Sequence, residues 1–147
     1  MFISKKANDA HSKSKLKAGD VIAIRTGYPG TSCVVPERFD GANCVDLIII
    51  RPGPKVVSSF LSRFINSPAG RSQILRGQGG LAQQHFNVSE AAKLLVPVPP
   101  LREQAEIVSV LASVDQAIFK ALDCRDRSET MKKALMHELL TGKIRAR

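Results

Sequence analysis

The hydrophobic positions of this chain change period along its length, and each change marks a different kind of element. Residues 1–18 are polar and lysine-rich without an apolar period, and read as a loosely ordered lead-in, the end of an element whose start is missing. After Gly19-Asp20 the β-branched run Val21-Ile22-Ala23-Ile24-Arg25-Thr26 predicts a strand, and Gly27-Tyr28-Pro29-Gly30 a tight loop whose glycines and proline set turn dihedrals. Thr31 to Val35 predicts a second strand, Pro36 to Gly41 a turn, and Asn43 to Arg51 a third strand closed by Pro52-Gly53-Pro54.

The period then switches. Val56, Val57, Phe60, Leu61, Phe64 and Ile65 recur at spacings of three and four, which predicts an amphipathic helix ended by Ser67-Pro68, with a second short helix over Ala69 to Arg76. Gly77 to Phe86 is a loop rich in glycine and amides. Asn87 with Glu90 three residues on reads as a capping arrangement for a brief helical turn, before Leu94-Leu95-Val96-Pro97-Val98 extends as a strand. Pro99-Pro100 disfavours helix before it and tolerates one after it, so a long helix begins near Leu101. Its positions Ile107, Leu111, Val114, Ile118 and Ala121 alternate steps of four and three, a heptad-like seam to which Leu122, Leu135 and Leu139 add. Some 40 residues would reach roughly 60 Å, more than so small a domain can cover, so the seam calls for a partner helix. The polar run Asp123 to Thr130 interrupts it and is compatible with a break, a hinge or a two-helix hairpin.

These elements predict an α+β chain: a small mixed globular domain, residues 1–98, followed by a long C-terminal helix, residues 99–147, suited to coiled-coil pairing, which the resemblance described below makes antiparallel. A length of 147 residues agrees with one globular unit plus an appendage. No stretch approaches the roughly 18 apolar residues of a membrane span, and the N-terminus lacks the apolar core of a secretory signal, so a cytoplasmic location is the default. Cys33, Cys44 and Cys124 have neither metal-ligand spacing nor an even number; they read as small buried hydrophobes, with an oxidised Cys33–Cys44 pair across a hairpin as the lesser alternative.

Charge changes the picture more than composition does. The net charge is +9, and its excess lies ahead of the long helix: residues 51–101 carry six Lys or Arg against one Glu, whereas residues 102–147 carry nine against seven acids. Clustered positive charge attracts polyanions because neutralised phosphates release counterions, so nucleic acid is the first partner to consider, against a merely soluble basic surface, and the resemblance given below makes it double-stranded DNA. Phosphate positioning falls to Lys15, Lys17, Arg51, Lys55, Arg63, Arg71 and Arg76. Base reading falls to Gln78, Gln83 and Gln84, with His85 and Tyr28 beside them, because amides grip adenine by two hydrogen bonds.

Catalytic chemistry finds no support in these residues. His11, His85 and His137 lie in unrelated segments; Asp20 and Glu37 read as a cap and a turn residue; the Gly77–Gly80 run lacks the Lys-Ser/Thr ending of a phosphate loop. The expectation is a non-catalytic protein with no cofactor and no metal.

Four features in order, Gly19-Asp20-Val21-Ile22 leading to Thr26-Gly27, the Gly80 to Asn87 loop, Pro99-Pro100-Leu101-Arg102-Glu103-Gln104, and the ending Leu139 to Arg145, give the chain a resemblance to the specificity subunit of type I restriction-modification systems. The resemblance covers about residues 19–147. It implies a subunit with two α+β target-recognition domains, separated by long helices that pack antiparallel and space two DNA half-sites, and methyltransferase subunits that supply the chemistry. The chain departs from that plan by holding one recognition domain, its first part absent. The resemblance therefore implies a partial target-recognition domain over residues 1–98 and a spacer helix over 99–147, which docks a methyltransferase subunit and forms a homodimer or pairs with another specificity half-subunit. The alternative is an interaction protein that binds the methyltransferase or a full specificity subunit through the helix without reading DNA sequence.

Overall fold

Three short strands carry the α+β part: β1 (Val21–Ile24), β2 (Ser32–Val34) and β3 (Leu47–Ile50), in the order β2-β1-β3 with both pairings antiparallel. They belong to a computed structural model that describes residues 4–76 and 86–145. The register sets Val21 opposite Val34 and Ile50, and Ala23 opposite Ser32 and Ile48. Because side chains alternate across a sheet, Val21, Ala23 and Ile48 share the buried face. The helix α2 (Ser58–Asn66) packs on this face, against β1, β2 and the following α3 (Pro68–Arg76). Leu61, Ile65, Ile74 and Phe86 complete the core.

The turn from α2 to α3 depends on Gly70. A Cβ there would stand 2.3 Å from the Phe64 carbonyl oxygen and 2.9 Å from the Ile65 Cα, both backbone atoms that cannot swing aside. Ser67 secures the same corner, donating from Oγ to the Phe64 carbonyl at 2.7 Å and accepting from the Gly70 N–H at 3.2 Å.

The lead-in is more ordered than its composition predicts. Lys5–Ala10 form α1, capped by the Ser4 hydroxyl, and a 3-10 turn follows at Ser12–Ser14. Amides hold it: the Asn43 Nδ2 donates to the Asn8 carbonyl at 2.9 Å, and the Asn8 Nδ2 donates to the Gly41 carbonyl at 3.2 Å. A polar segment without an apolar period can thus be fixed by side-chain hydrogen bonds.

The capping arrangement at Asn87 forms as expected, with both reciprocal bonds to Glu90, and opens α4 (Val88–Ala91). The strand predicted over Leu94 to Val98 does not form. Its partner is a side chain: Gln73 on α3 accepts from the Leu95 N–H at 2.8 Å and donates to the Leu95 carbonyl at 3.0 Å, which satisfies that backbone without a neighbouring strand.

The last helix, α5 (Leu101–Leu140), runs for 40 residues through the polar interruption without a break. The run Asp123 to Thr130 contains neither glycine nor proline, and (i, i+4) ion pairs Asp123–Arg127 at 2.8 Å and Arg125–Glu129 at 3.9 Å reward the helical spacing. Polarity interrupts the seam but not the helix. Gly142, with φ of 74°, closes the C-terminus. By contact density the chain divides into two units, residues 1–108 and 109–147, so that the first two turns of α5 belong to the first.

Candidate nucleic-acid interface

The loop between β1 and β2 displays the aromatic residue of the predicted site. Gly27 and Gly30, both with φ of 82°, let the chain reverse within a few residues, and the Gly30 N–H donates to the Ile24 carbonyl at 2.9 Å. Gly30 lies directly on α3, where a Cβ would stand 2.3 Å from the Ile74 Cδ1. Tyr28 is left 76% exposed at the tip. Arg71 on α3 reaches this loop, its Nη2 donating to the Thr31 Oγ1 at 3.3 Å. Tyr28, Arg71 and Leu75 line one depression of about 280 Å³. The loop is also tied to its surroundings: the Thr26 hydroxyl donates to Asp46 at 2.9 Å, and the Phe86 N–H donates to the Arg25 carbonyl at 2.9 Å.

Four of the predicted cations fall into two groups, while Arg63 lies on α2 and Lys17 in the turn into β1. Arg71 and Arg76 both lie on α3, the first beside Tyr28 and the second at the last residue of the helix, bonded through Nε and Nη2 to the Ser72 hydroxyl. Arg51 and Lys55 follow β3 at the opposite end of the sheet, about 10 Å away along strand β1. Arg51 has a task within the fold: its Nε meets Asp20 at 3.3 Å and its Nη2 donates to the Lys15 carbonyl at 2.9 Å. Asp20, 5% exposed, also accepts from the Lys17 N–H at 3.0 Å, so the pair anchors the turn into β1. Lys15 is paired with Asp9 at 2.7 Å. Gln78, Gln83, Gln84 and His85 lie outside the described residues, and the flanking Arg76 and Phe86 are both placed.

The cysteines depart from expectation. Cys33 and Cys124 are exposed, and all three cysteines are free. Cys33 on β2 and Cys44 ahead of β3 lie on opposite sides of β1, so no hairpin brings them together. Burial, and then the negative charge of Asp20, push the Cys44 thiol up from its ordinary value, which keeps it protonated. Among the described residues no cluster of three or more His, Cys, Asp or Glu could hold a metal ion, and no helix is long and apolar enough to cross a membrane.

The seam of α5 is open. Ile107 is half-buried, while Leu111, Val114, Ile118, Leu122, Leu135 and Leu139 are each 41% to 52% exposed. Phe119 and Leu140, off the seam, are more exposed still.

Gln104, named in the sequence only as the end of the Pro99–Gln104 feature, has a role that the sequence did not suggest. It is fully buried on the first turn of α5, and every polar atom of its amide is used: Oε1 accepts from the Val57 N–H at 2.8 Å, and Nε2 donates to the Lys55 carbonyl at 2.9 Å and the Pro99 carbonyl at 2.7 Å. The start of α5 is thereby bound to the loop ahead of α2, within the first unit. Its signal in the sequence is only an uncharged amide among charged neighbours after a proline pair.

No family model matches the chain. It is similar to the type I restriction enzyme EcoBI specificity subunit of Escherichia coli, 22% identical over 149 aligned residues, which takes in 98% of this chain and 31% of that protein. Among solved structures, the HsdS subunit from Thermoanaerobacter tengcongensis has the same fold with a TM-score of 0.67 at 24% identity, covering 83% of this chain and 32% of that one. A chain from a structure concerned with complex assembly and conformational transition of the type I R-M system gives a TM-score of 0.73 at 23% identity, over 92% of this chain and 37% of that one. In sequence and fold the chain is thus similar to part of a type I specificity subunit, and it spans about a third of the length of these proteins.

Proposed function

We propose that this chain, similar to about a third of a type I specificity subunit, is a DNA-specificity component of a type I restriction-modification system. Residues 1–98 form part of a target-recognition domain that reads one DNA half-site. Helix 99–147 pairs with a second copy or another specificity half-subunit and docks a methyltransferase subunit, which supplies the chemistry. A cytoplasmic, non-catalytic role follows. The observation that carries the reading is one uninterrupted helix of 40 residues with an open apolar seam, in the same chain as a unit that displays Tyr28 beside Arg71.

Duplex binding across a salt series tests it. Phosphate neutralisation gives a slope of log K against log salt of about −0.9 per phosphate, so a chain with several phosphate contacts shows a slope of about −2 or steeper. A slope near zero, or no binding, contradicts DNA recognition. A second reading, the interaction protein that does not read sequence, is favoured by one observation: the guanidinium groups of Arg51, Arg71 and Arg76 each already bond within the chain.

A further inference from the structure

We infer that the depression between α3 and α4 is a seat for a backbone phosphate of duplex DNA, held by Arg76 and Lys93. This rests on the DNA-recognition reading above and adds to it Lys93 and the depression that Lys93 shares with Arg76. The depression has a volume of about 360 Å³ and is lined by Gln73, Ile74 and Arg76 from α3, and by Glu90 and Lys93 across from them. Its walls are set in advance. The pair of hydrogen bonds between the Gln73 amide and the Leu95 backbone holds the segment after α4 against α3, and Ile74, 2% exposed, packs into the core.

Charge then decides what fits. Glu90 lines the same depression and keeps its negative charge; its Oε2 accepts from the Asn87 N–H at 3.0 Å in the capping box, which holds the carboxylate at the first turn of α4. The Ser89 hydroxyl donates to the Asn87 Oδ1 at 2.6 Å. Arg76 is oriented by the Ser72 hydroxyl, a neutral acceptor, and has no acidic partner among the described residues. Lys93 is exposed and has no side-chain partner among the described residues. Two cations against one carboxylate leave the depression net positive, which favours an anion seated at Arg76 and Lys93. A phosphodiester presents two unesterified oxygens, which suits a planar guanidinium together with a mobile ammonium. Duplex DNA is favoured over an acidic protein because Arg71 and Tyr28 occupy a second depression bordered by the same helix, so α3 presents cations to both.

The test uses the full chain with a duplex of random sequence of about 30 base pairs, and the variants Arg76→Gln, Lys93→Gln and both together, across a salt series. Each single change is expected to reduce the magnitude of the salt slope by about 0.9, and the pair by about 1.8. Lys120→Gln, an exposed change on α5, is expected to leave it unchanged. Lys93→Gln alters an exposed residue without a partner, so its effect is not a folding defect; an unchanged thermal midpoint checks this for all variants. Wild-type slopes in both single variants, with the unaltered chain binding DNA, overturn the phosphate seat and leave DNA recognition standing. Absence of salt-dependent binding by the unaltered chain overturns both.

Discussion

Gln104→Leu is expected to destabilise the first unit by about 2–4 kcal/mol, although leucine is of similar size and more apolar. The substitution leaves three part-buried backbone groups without these partners: the Val57 N–H and the carbonyls of Lys55 and Pro99. A fully buried unsatisfied group costs about 1–3 kcal/mol, partial exposure keeps these near the lower end, and apolar contact recovers part of the total. Gln104→Glu is the sharper variant, because it keeps the acceptor facing Val57 and points a second oxygen at two carbonyls. Its loss is expected to be larger at pH 7 than near pH 4. A carboxyl forced against carbonyls has its folded pKa raised above the ordinary value of about 4.3, so stability declines as pH rises through that value. Native-state hydrogen exchange of the β1 amides reads the change within the unit itself. A difference below about 1 kcal/mol for Gln104→Leu would show that the amide is not what fixes α5 to the loop ahead of α2.

Leu111→Asp and Ile118→Asp are each expected to convert the chain from a species of twice its 16.0 kDa mass to a monomer, read by light scattering. Both residues lie on the seam and are 41% and 52% exposed, so in isolation they contribute little to the fold. Against a partner helix each would become a knob between four residues of the facing helix, with about 1.5–3 kcal/mol for burial of one such side chain. An aspartate there loses that burial and adds an unpaired charge to an apolar contact. Helix content should remain, because neither position packs against the core cluster. A monomeric unaltered chain would rule out self-pairing and leave another specificity half-subunit as the partner.

The elements with a clean hydrophobic period were legible in the sequence, and those held by polar side chains were not. Val21 to Ile24, Phe60 to Ile65 and the start of α5 lie where alternation, helical spacing and the proline pair place them. The third strand was read too long: Asp46 takes a positive φ of 58° and Val45 is 89% exposed, so only Leu47–Ile50 pairs with β1. Leu94 to Val98 has the composition of a strand, but its partner is the Gln73 amide, which lies 22 residues away and leaves no periodic trace. The run Asp123 to Thr130 suggested a break because polarity was weighed above the (i, i+4) placement of its charges.

For the candidate site the limits have the same origin. Tyr28 and Arg71 were both legible as single residues, and only the packing of the Gly30 turn on Ile74 brings them together. Arg51 looked like their equal until the buried Asp20 gave it a place in the fold. The start of α5 just after the proline pair was legible, whereas the division of the chain falls two turns further on. The buried amide of Gln104 was not legible, because one sequence does not show which of several polar residues on a first helical turn faces inward.

The central claim is that the unit before the long helix reads DNA sequence, and selection from a pool of randomised duplexes tests it most directly. At about 0.15 M salt, where exposed long-range charge effects are largely screened, the full chain is expected to enrich one short half-site motif over successive rounds. Binding that persists without any enriched motif would contradict recognition and make the chain a sequence-blind partner of the methyltransferase or of a full specificity subunit.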